Sequence, residues 1–286
     1  MLMISSRLCR TGVVSRMAVI YILQTGSTRV SPAVPDRSCR KNSIAYTGLF
    51  QRRKEQITVP VKAFLVEVKD HRILIDTGWS EECADHPIRH LGFGLWFASE
   101  PVMKAEEAVN RQLAAMGLRP TDLDAVLLTH LDCDHASGLI PLKNAGRIYT
   151  TPEELDKKNI RGVRYNKNFW KGIDFSFYNM MPDRNAPFGQ SCDLFDDGSV
   201  IVYLTPSHSA GSVAIEVNES GRFALFTGDN GYNRHSWEDL KLPGPIYDKQ
   251  NMKKALEWVR SESRKENCTG IYAAHDPEGA RGGADL

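Results

Sequence analysis

Residues 125–135 read AVLLTHLDCDH, an apolar run that ends directly in a cluster of histidines and aspartates. The apolar part, residues 125–129, has the length and composition of a short buried strand. The cluster consists of His130, Asp132, Asp134 and His135. Imidazole and carboxylate groups are ligands that suit zinc, iron or manganese. The stretch therefore predicts a metal site in the loop between a strand and a helix.

Similar side chains recur where other predicted strands end. They are Asp76 in the segment DTG, His208 in TPSHSAG, Asp229 in FTGD and His275 in AAHD. A single histidine is more often a hydrogen-bonded surface or core residue than a metal ligand. Here, however, each residue follows a β-rich run and lies close to Gly or Pro. We therefore predict that these distant residues converge on one site.

The spacing within the cluster indicates two metal positions. From an extended backbone His130 and Asp132 could point the same way, while Asp134 and His135 turn into the next helix and address a neighbouring position. A carboxylate such as that of Asp229 can bridge paired metals, which are usually about 3.5 to 4 Å apart.

The rest of the chain predicts strands that come first as a hairpin and then alternate with helices. Strands are predicted at residues 17–26, in a hairpin over 59–78 with its turn at 69–72, and at 147–150, 199–206, 212–218, 223–229 and 270–276. Helices are predicted at 105–116, with Ala108, Val109, Leu113 and Met116 on the buried face, at 251–263, and from a capping box at residues 151–154. This order favours sheets covered by helices.

Three segments lack a clear periodic pattern of apolar residues. Residues 90–101, HLGFGLWFASEP, are interpreted as a long loop whose Phe93, Trp96 and Phe97 either line an apolar pocket or pack in the core, so they are left out of the predicted site. Residues 279–286 are expected to be mobile. Residues 1–16 are expected to be a disordered extension or the result of a start upstream of Met17, and residues 17–286 a single domain.

Composition excludes several classes of protein. The 286 residues are 42% hydrophobic and 25% charged with a formal net charge of +1, which gives no electrostatic reason to expect a nucleic acid or an anionic membrane as partner. No apolar run reaches the length of a membrane-spanning helix. The six cysteines lack CxxC spacing and are expected to be reduced thiols of a cytoplasmic protein, monomeric or homodimeric, that acts on a small molecule.

The order of the motifs resembles the metallo-β-lactamase superfamily, from about residue 17 to residue 278. The shared elements are DTG, HxxxDH, TPxHxxGS, GD and a late histidine at a strand end. This resemblance implies an α/β fold, an αββα sandwich of two mixed β-sheets flanked by helices. The sequence is most similar to the N-acyl-homoserine lactonase branch, because Tyr232 stands three residues after Asp229, where those enzymes carry a tyrosine that faces the substrate.

The resemblance also implies how two divalent metal ions are held. One ion would be bound by His130, Asp132, His208 and Asp229, and the other by Asp134, His135, His275 and Asp229. This chain departs from the family at Asp132, where the usual pattern has histidine. Three aspartates and a bridging hydroxide would cancel the charge of two divalent ions, so the acidity of the bound water should fall. Because carboxylate is a harder ligand than imidazole, iron or manganese becomes plausible beside zinc.

The expected reaction is the opening of a lactone or ester by a hydroxide that bridges the metals. Tyr232 is expected to donate a hydrogen bond to the developing oxyanion or the leaving alkoxide, although it could instead only pack at the pocket wall. Asp134 is both a predicted ligand and a candidate proton carrier. Asp76 is expected to orient a metal-bound histidine without contacting the metal itself, or else to cap a turn.

Two other functions stay open at this point. The same metals could serve a thioester, phosphodiester or β-lactam substrate. Alternatively, Asp132 could have disabled one metal position, which would leave a metal-binding protein without catalytic activity.

Overall fold

Two stacked β-sheets form the centre of the chain in the computed structural model, which describes residues 18–40, 42, 44–49, 51–156, 164–278 and 282–285. The strands of the first sheet are β1 Val19–Val30, β2 Ile57–Val68, β3 His71–Ile75, β4 Glu100–Val102, β5 Ala125–Leu127, β6 Arg147–Thr150, β7 Phe175–Phe177 and β14 Gly282–Asp285. Their order is β14-β1-β2-β3-β5-β6-β7, with β4 paired to β1. The pairs from β3 to β7 are parallel, whereas β1, β2 and β3 pair antiparallel.

The second sheet has the order β13-β12-β11-β10-β9-β8. Its strands are β8 Met181–Pro182, β9 Gln190–Asp193, β10 Val200–Leu204, β11 Val213–Glu219, β12 Arg222–Gly228 and β13 Cys268–Ala273. Among its described strands, only β12 and β13 pair in parallel. Both sheets are therefore mixed.

Helices cover the outer faces of the two sheets. They are α1 Glu82–Asp85, α2 Pro87–Leu91, α3 Phe93–Ala98, α4 Val109–Ala115, α5 Cys133–Ala136, α6 Arg234–Glu238 and α7 Lys249–Glu262. Short 3-10 turns lie at Arg37–Cys39, Ala45–Thr47, Arg53–Glu55, Ala105–Glu107, Pro120–Asp122, Ile140–Leu142 and Lys167–Trp170. None of the described helices has both the length and the apolar composition needed to cross a bilayer.

The period of two along the strands explains the layers. In β2, Phe64 and Val66 face the second sheet, and the Phe64 ring meets that of Phe226 edge-on with centroids 5.0 Å apart. Leu65, between them in sequence, faces the opposite side and packs in the cluster that includes Leu113 of α4. On the far side of the second sheet, the core includes residues of α6 and α7. This arrangement confirms the predicted αββα sandwich.

The parallel pairs determine where the polar strand ends lie. Because β3 and β5 are parallel with Ile75 opposite Leu127, the residues that follow them emerge at the same edge of the first sheet. Likewise β12 and β13 are parallel with Gly228 opposite Ala273, so Asp229 and His275 emerge together from the second sheet.

Several predicted elements are confirmed with small shifts of their ends. The hairpin has its turn between Val68 and His71, and α7 begins two residues before its predicted start. The helix predicted at 105–116 is shorter, because Ala108 has an extended backbone that separates a 3-10 turn from α4. Met116 is 40% exposed, so its place on the buried face was wrong. The five described cysteines are free thiols, as expected.

Two segments without a clear period are ordered. Residues 90–101 are not a long loop: they contain the end of α2, all of α3 and the start of β4, and Gly92 separates the two helices with a φ of 81°. Both helices span only about one turn or two, too short for a period to show. In the tail, β14 pairs antiparallel with β1, which overturns the expected mobility for residues 282–285. Residues 1–16 lie outside the described part of the chain.

The helix expected from residues 151–154 does not form: residues 152–155 make a turn. The reason is that both side chains of the expected capping box bind elsewhere. Thr151 donates its hydroxyl hydrogen to the carbonyl oxygen of Gly211, 2.8 Å away, and the carboxylate of Glu154 accepts hydrogen bonds from other loops.

Candidate metal centre

Strand ends and the loops that follow them place the predicted residues at one edge of the sandwich. His130 and Asp132 follow β5, and Asp134 and His135 lie in the short helix α5. His208 comes from the loop between β10 and β11. Asp229 and His275 follow the parallel strands β12 and β13. All seven residues predicted as metal ligands meet here, in two groups.

The first group contains His130, Asp132, His208 and Asp229. Nε2 of His208 is 2.9 Å from Oδ2 of Asp132 and 3.4 Å from Oδ2 of Asp229. Nε2 of His130 is 3.4 Å and 3.9 Å from the same two oxygens. Four ligand atoms around a tetrahedral zinc at about 2.0 to 2.1 Å would lie roughly 3.3 Å apart. The spacing therefore fits one ion.

The second group contains Asp134, His135 and His275. Nε2 of His275 is 3.4 Å from Oδ2 of Asp134 and 3.3 Å from Oδ1 of Asp229. Nε2 of His135 is 3.2 Å from the same Asp229 oxygen. Asp229 thus turns Oδ2 toward the first group and Oδ1 toward the second, which is the arrangement a bridging carboxylate needs.

Each histidine is oriented by a hydrogen bond on its other ring nitrogen. Nδ1 of His135 lies 2.8 Å from Oδ2 of Asp76. Nδ1 of His208 lies 3.1 Å from the carbonyl oxygen of Pro245, and Nδ1 of His275 lies 2.8 Å from that of Pro60. Because a carbonyl oxygen only accepts, Nδ1 must carry the hydrogen in both of these rings, and Nε2 keeps its lone pair for a ligand.

Asp76 occupies the position behind His135 that the sequence suggested. Its backbone is left-handed with a φ of 57°, which is unusual for a residue other than glycine. In this conformation its carboxylate accepts hydrogen bonds from the backbone N–H of Thr129 at 2.8 Å and reaches His135. Asp76 therefore links the ends of β3 and β5 to the ring of His135.

The donor set itself indicates metal binding. Nε2 of His130, His135 and His275, together with Oδ1 of Asp229, are buried without a hydrogen-bond partner among the described residues. Polar atoms buried in this way are costly unless something else satisfies them. Nε2 of His130 lies among the ligand atoms of the first group, and Nε2 of His135 and of His275 lie in the second, within 3.3 Å of Oδ1 of Asp229. The residues present therefore fit a pair of cations.

The electrostatics of the two groups differ. Burial opposes a charge on His135, but the carboxylates of Asp229 and Asp76 outweigh it and hold its pKa well above the usual value. For His208, burial and the nearby Arg164 lower the pKa. Burial would raise the pKa of Asp229, but the surrounding histidines hold it well below its ordinary range.

A cavity of about 320 Å³ opens directly over both groups. Its floor includes Asp132, Asp134, Asp229 and His275, and its walls include Val30, Val34, Val59, Leu95 and Ile246. A cavity of this size with apolar walls and a few polar groups is typical of a small-molecule site. The lining residues from α3 are Gly94, Leu95 and Ala98, whereas Phe93, Trp96 and Phe97 do not line the cavity. Phe93 is 66% exposed, and Trp96 packs against the core.

Tyr232 forms part of the cavity wall next to the second group. Its ring stacks on that of His275 with centroids 5.0 Å apart and an angle of 20° between the planes. Burial and the carboxylates of Asp229, Asp134 and Asp132 raise its pKa well above the usual value. The phenol therefore keeps its proton and can donate it in a hydrogen bond.

The family model described as "Metallo-beta-lactamase superfamily" matches residues 57–267. This chain belongs to the metallo-β-lactamase superfamily. It is a metal-dependent hydrolase of that superfamily, and the match spans the two groups except for His275.

Relatives within the superfamily have similar lengths. The N-acyl homoserine lactonase AttM of Rhizobium radiobacter is 26% identical over 265 residues, which cover 91% of this chain and 93% of the relative. A solved N-acyl homoserine lactone hydrolase with N-hexanoyl-L-homoserine bound at its metal centre has a TM-score of 0.72 at 20% identity, covering 92% and 94% of the two chains. The dizinc lactonase AidC has a TM-score of 0.63 at 16% identity, with 95% of each chain covered. These structures share the fold of this superfamily member.

The sequence did not predict Arg164, which contacts the first group. Nε of its guanidinium donates to Oδ1 of Asp132 at 2.5 Å, and one terminal nitrogen donates to Oδ2 at 2.7 Å. Although burial would raise the pKa of Asp132, the charge of Arg164 and the adjacent imidazoles of His130 and His208 hold it well below its usual range. A lone arginine in the segment RGVRYNK carries no motif, so no local signal could have identified it.

Glu154 is a second residue that sequence reasoning missed. Its side chain is buried, and its two oxygens accept hydrogen bonds from the backbone N–H of Leu131, the hydroxyls of Tyr165 and Ser209, and the backbone N–H of Gly211. These donors are neighbours of His130, Arg164 and His208. One carboxylate therefore holds together three segments that carry residues of the site.

Proposed function

We propose that this metallo-hydrolase opens the ring of a lactone of the N-acyl-homoserine type, and that it uses two divalent metal ions held by the two groups around Asp229. Zinc suits the four imidazoles, and the extra carboxylate of Asp132 makes iron or manganese acceptable as well. The similarity to the lactonases AttM and AidC supports the substrate class.

The observation that carries the proposal is the position of Asp229 beneath an apolar cavity. One of its oxygens faces each histidine group, and the residue itself forms part of the cavity floor. A substrate with an apolar acyl chain would lie along Val30, Val59 and Leu95 while its polar ring reaches the floor. The cavity thus combines a polar reactive end with an apolar binding wall.

When bound, the metal pair would supply a Lewis acid for the carbonyl oxygen and would lower the pKa of water enough for it to act as the nucleophile at neutral pH. The residues of the chain would orient the ligands, bind the substrate and transfer the proton. The imidazoles, fixed through Nδ1, direct their Nε2 lone pairs inward without needing to reorganise.

Tyr232 is placed to assist the leaving group. Its ring is fixed against His275, and its neutral phenol sits in the cavity wall. From there the hydroxyl would donate a hydrogen bond to the oxygen that gains negative charge when the ring opens.

Asp134 is placed to carry a proton. Its carboxylate lies at the floor of the cavity, 9% exposed, with Oδ2 directed toward His275. It would therefore hold the proton lost by the attacking water and return it to the alkoxide of the opened ring.

The test is a substrate panel assayed with the protein reconstituted with zinc. N-hexanoyl-homoserine lactone, an acyclic ester, a thioester, a phosphodiester and a chromogenic β-lactam are compared by proton release and by the mass of the product. We expect the lactone to have the highest kcat/KM, with a product heavier by one water. Hydrolysis of another class in preference to the lactone would overturn the proposed substrate.

Variants of the metal centre connect the activity to the geometry. We expect Asp229→Ala and His208→Ala to lower kcat/KM by more than about 100-fold, beyond the usual loss from removing a residue that only supports a ligand. His235→Ala is the matched control, because this histidine is 60% exposed and, within the described part of the chain, its ring bonds only to Asp239. Unchanged lactone hydrolysis in both metal-centre variants would contradict the mechanism.

A further inference from the structure

We infer that Arg164 competes with a metal ion for the ligand atoms of the first group. This chain would therefore bind its two ions with unequal affinity and fill the second group first. The inference rests on the metal centre and is independent of the lactone as substrate.

Arg164 contacts His208 at the ring nitrogen that an ion in the first group would need. A terminal nitrogen of the guanidinium lies 2.7 Å from Nε2 of His208, and the other terminal nitrogen donates to the carbonyl oxygen of His208 at 3.1 Å. Because Nδ1 of His208 donates to Pro245, Nε2 is the acceptor nitrogen of a neutral ring and offers a single lone pair. That lone pair points either to Arg164 or to a metal ion.

Asp132 leads to the same conclusion. The guanidinium of Arg164 donates hydrogen bonds to both oxygens of the Asp132 carboxylate, which is the strong bidentate geometry of an arginine–carboxylate pair. Oδ2, the oxygen that faces His130 and His208, accepts one of these two hydrogen bonds from Arg164. Binding of a cation in the first group must therefore displace a guanidinium from one oxygen and one nitrogen that the cation needs.

The second group shows no such competition. Nε2 of His135, Nε2 of His275 and Oδ1 of Asp229 have no hydrogen-bond partner within the described ranges. An ion that binds there therefore has no guanidinium to displace. The two groups thus have similar spacing but differ in what an ion must displace.

The side chain of Arg164 can leave without unfolding its surroundings. It is 34% exposed, and it lines the cavity, so the guanidinium has space to turn toward solvent. The aspartate at position 132 explains why an arginine is tolerated beside the first group. A histidine at position 132 would leave the guanidinium of Arg164 without a carboxylate to bind. Asp132 and Arg164 therefore act as a pair that reduces metal affinity in the first group.

The experiment measures metal affinity and not turnover. Protein stripped of metal is titrated with Zn²⁺ against a chromophoric chelator, and with Co²⁺, whose visible spectrum reports the number and type of its ligands. For the natural chain we expect two steps of unequal affinity. In Arg164→Met the weaker step should tighten by about tenfold or more, while the stronger step stays within about threefold.

Arg111→Met is the matched control. Arg111 also donates to a carboxylate, that of Glu81, through two nitrogens, but it does not line the cavity. Its two steps should equal those of the natural chain. Far-UV circular dichroism of the metal-free proteins checks folding, and Arg164→Gln, which also removes the charge, replaces Arg164→Met if that variant does not fold.

Two results would overturn the inference. One is a pair of equal affinities in the natural chain. The other is a weaker step that is unchanged or weakened in Arg164→Met, since that would mean that Arg164 supports the ion by balancing the charge of Asp132. Loss of lactone hydrolysis would leave the inference intact, because affinity for Zn²⁺ is measured without substrate.

Discussion

At the scale of single residues, the site depends on where each side chain directs one atom. The four histidines place Nε2 within 4 Å of an Asp229 oxygen, although they come from three separate segments. Asp132 departs from the family pattern, because it has a carboxylate where that pattern has an imidazole, and Tyr232 faces the cavity. Both can be changed without removing a histidine.

Tyr232→Phe separates catalysis from packing. Phenylalanine keeps the ring that stacks on His275 but loses the hydroxyl, so we expect kcat to fall about 100-fold, equivalent to roughly 3 kcal/mol, with KM changing much less. Metal content should stay equal to that of the natural chain. An unchanged kcat would show that Tyr232 only forms the pocket wall.

Asp132→His restores the imidazole that the family pattern has at this position. We expect the variant to keep its metal and to bind zinc over iron more strongly than the natural chain, because imidazole is the softer ligand. Elemental analysis after expression in medium with equal zinc and iron gives the ratio. A variant that purifies without metal would count against the assignment of Asp132 to the first group.

At the scale of elements, the clearest difference between sequence and structure lies at residues 151–154. The local pattern of a capping box predicts a helix, yet Thr151 bonds to Gly211, and Glu154 turns inward to bind the loops of His130 and His208. Those partners are far away in sequence, and no local rule contains them. In contrast, β5 and the start of α5 were predictable, since an apolar strand followed by HLDCDH carries its own signal.

Glu154→Gln tests this role of the turn. Glutamine has the same shape, but its amide group would face N–H or O–H donors where Glu154 offers an oxygen, so one or more buried bonds are lost. We expect the free energy of unfolding to fall by about 1 to 3 kcal/mol. Because the loops of both His130 and His208 loosen, zinc affinity in the first group should also fall.

Chemical denaturation and zinc titration measure these two effects. Glu153→Gln is the natural control, since its side chain is exposed on the same turn. Equal stability and affinity in Glu154→Gln and the natural chain would show that the carboxylate has no positioning role.

At the scale of the whole molecule, the sandwich brings strand ends from two sheets to one edge. The sequence predicted which residues converge, because each follows an apolar run and matches a motif of the superfamily. It could not predict Arg164, Glu154 or the apolar wall of the cavity, because these depend on the packing of loops over the edge and have no motif. The short helices of residues 87–98 were missed because they are too short to show a hydrophobic period, and the pairing of β14 with β1 because the two strands are far apart in sequence.

The central claim is that Asp229 lies between two metal ions, one held by each group. Anomalous diffraction at the zinc edge, from crystals grown with excess zinc, tests it most directly. We predict two peaks about 3.5 to 4 Å apart, one beside Oδ2 of Asp229 with His130 and His208, the other beside Oδ1 with His135 and His275. A map in which zinc contacts neither oxygen of Asp229 would contradict the account.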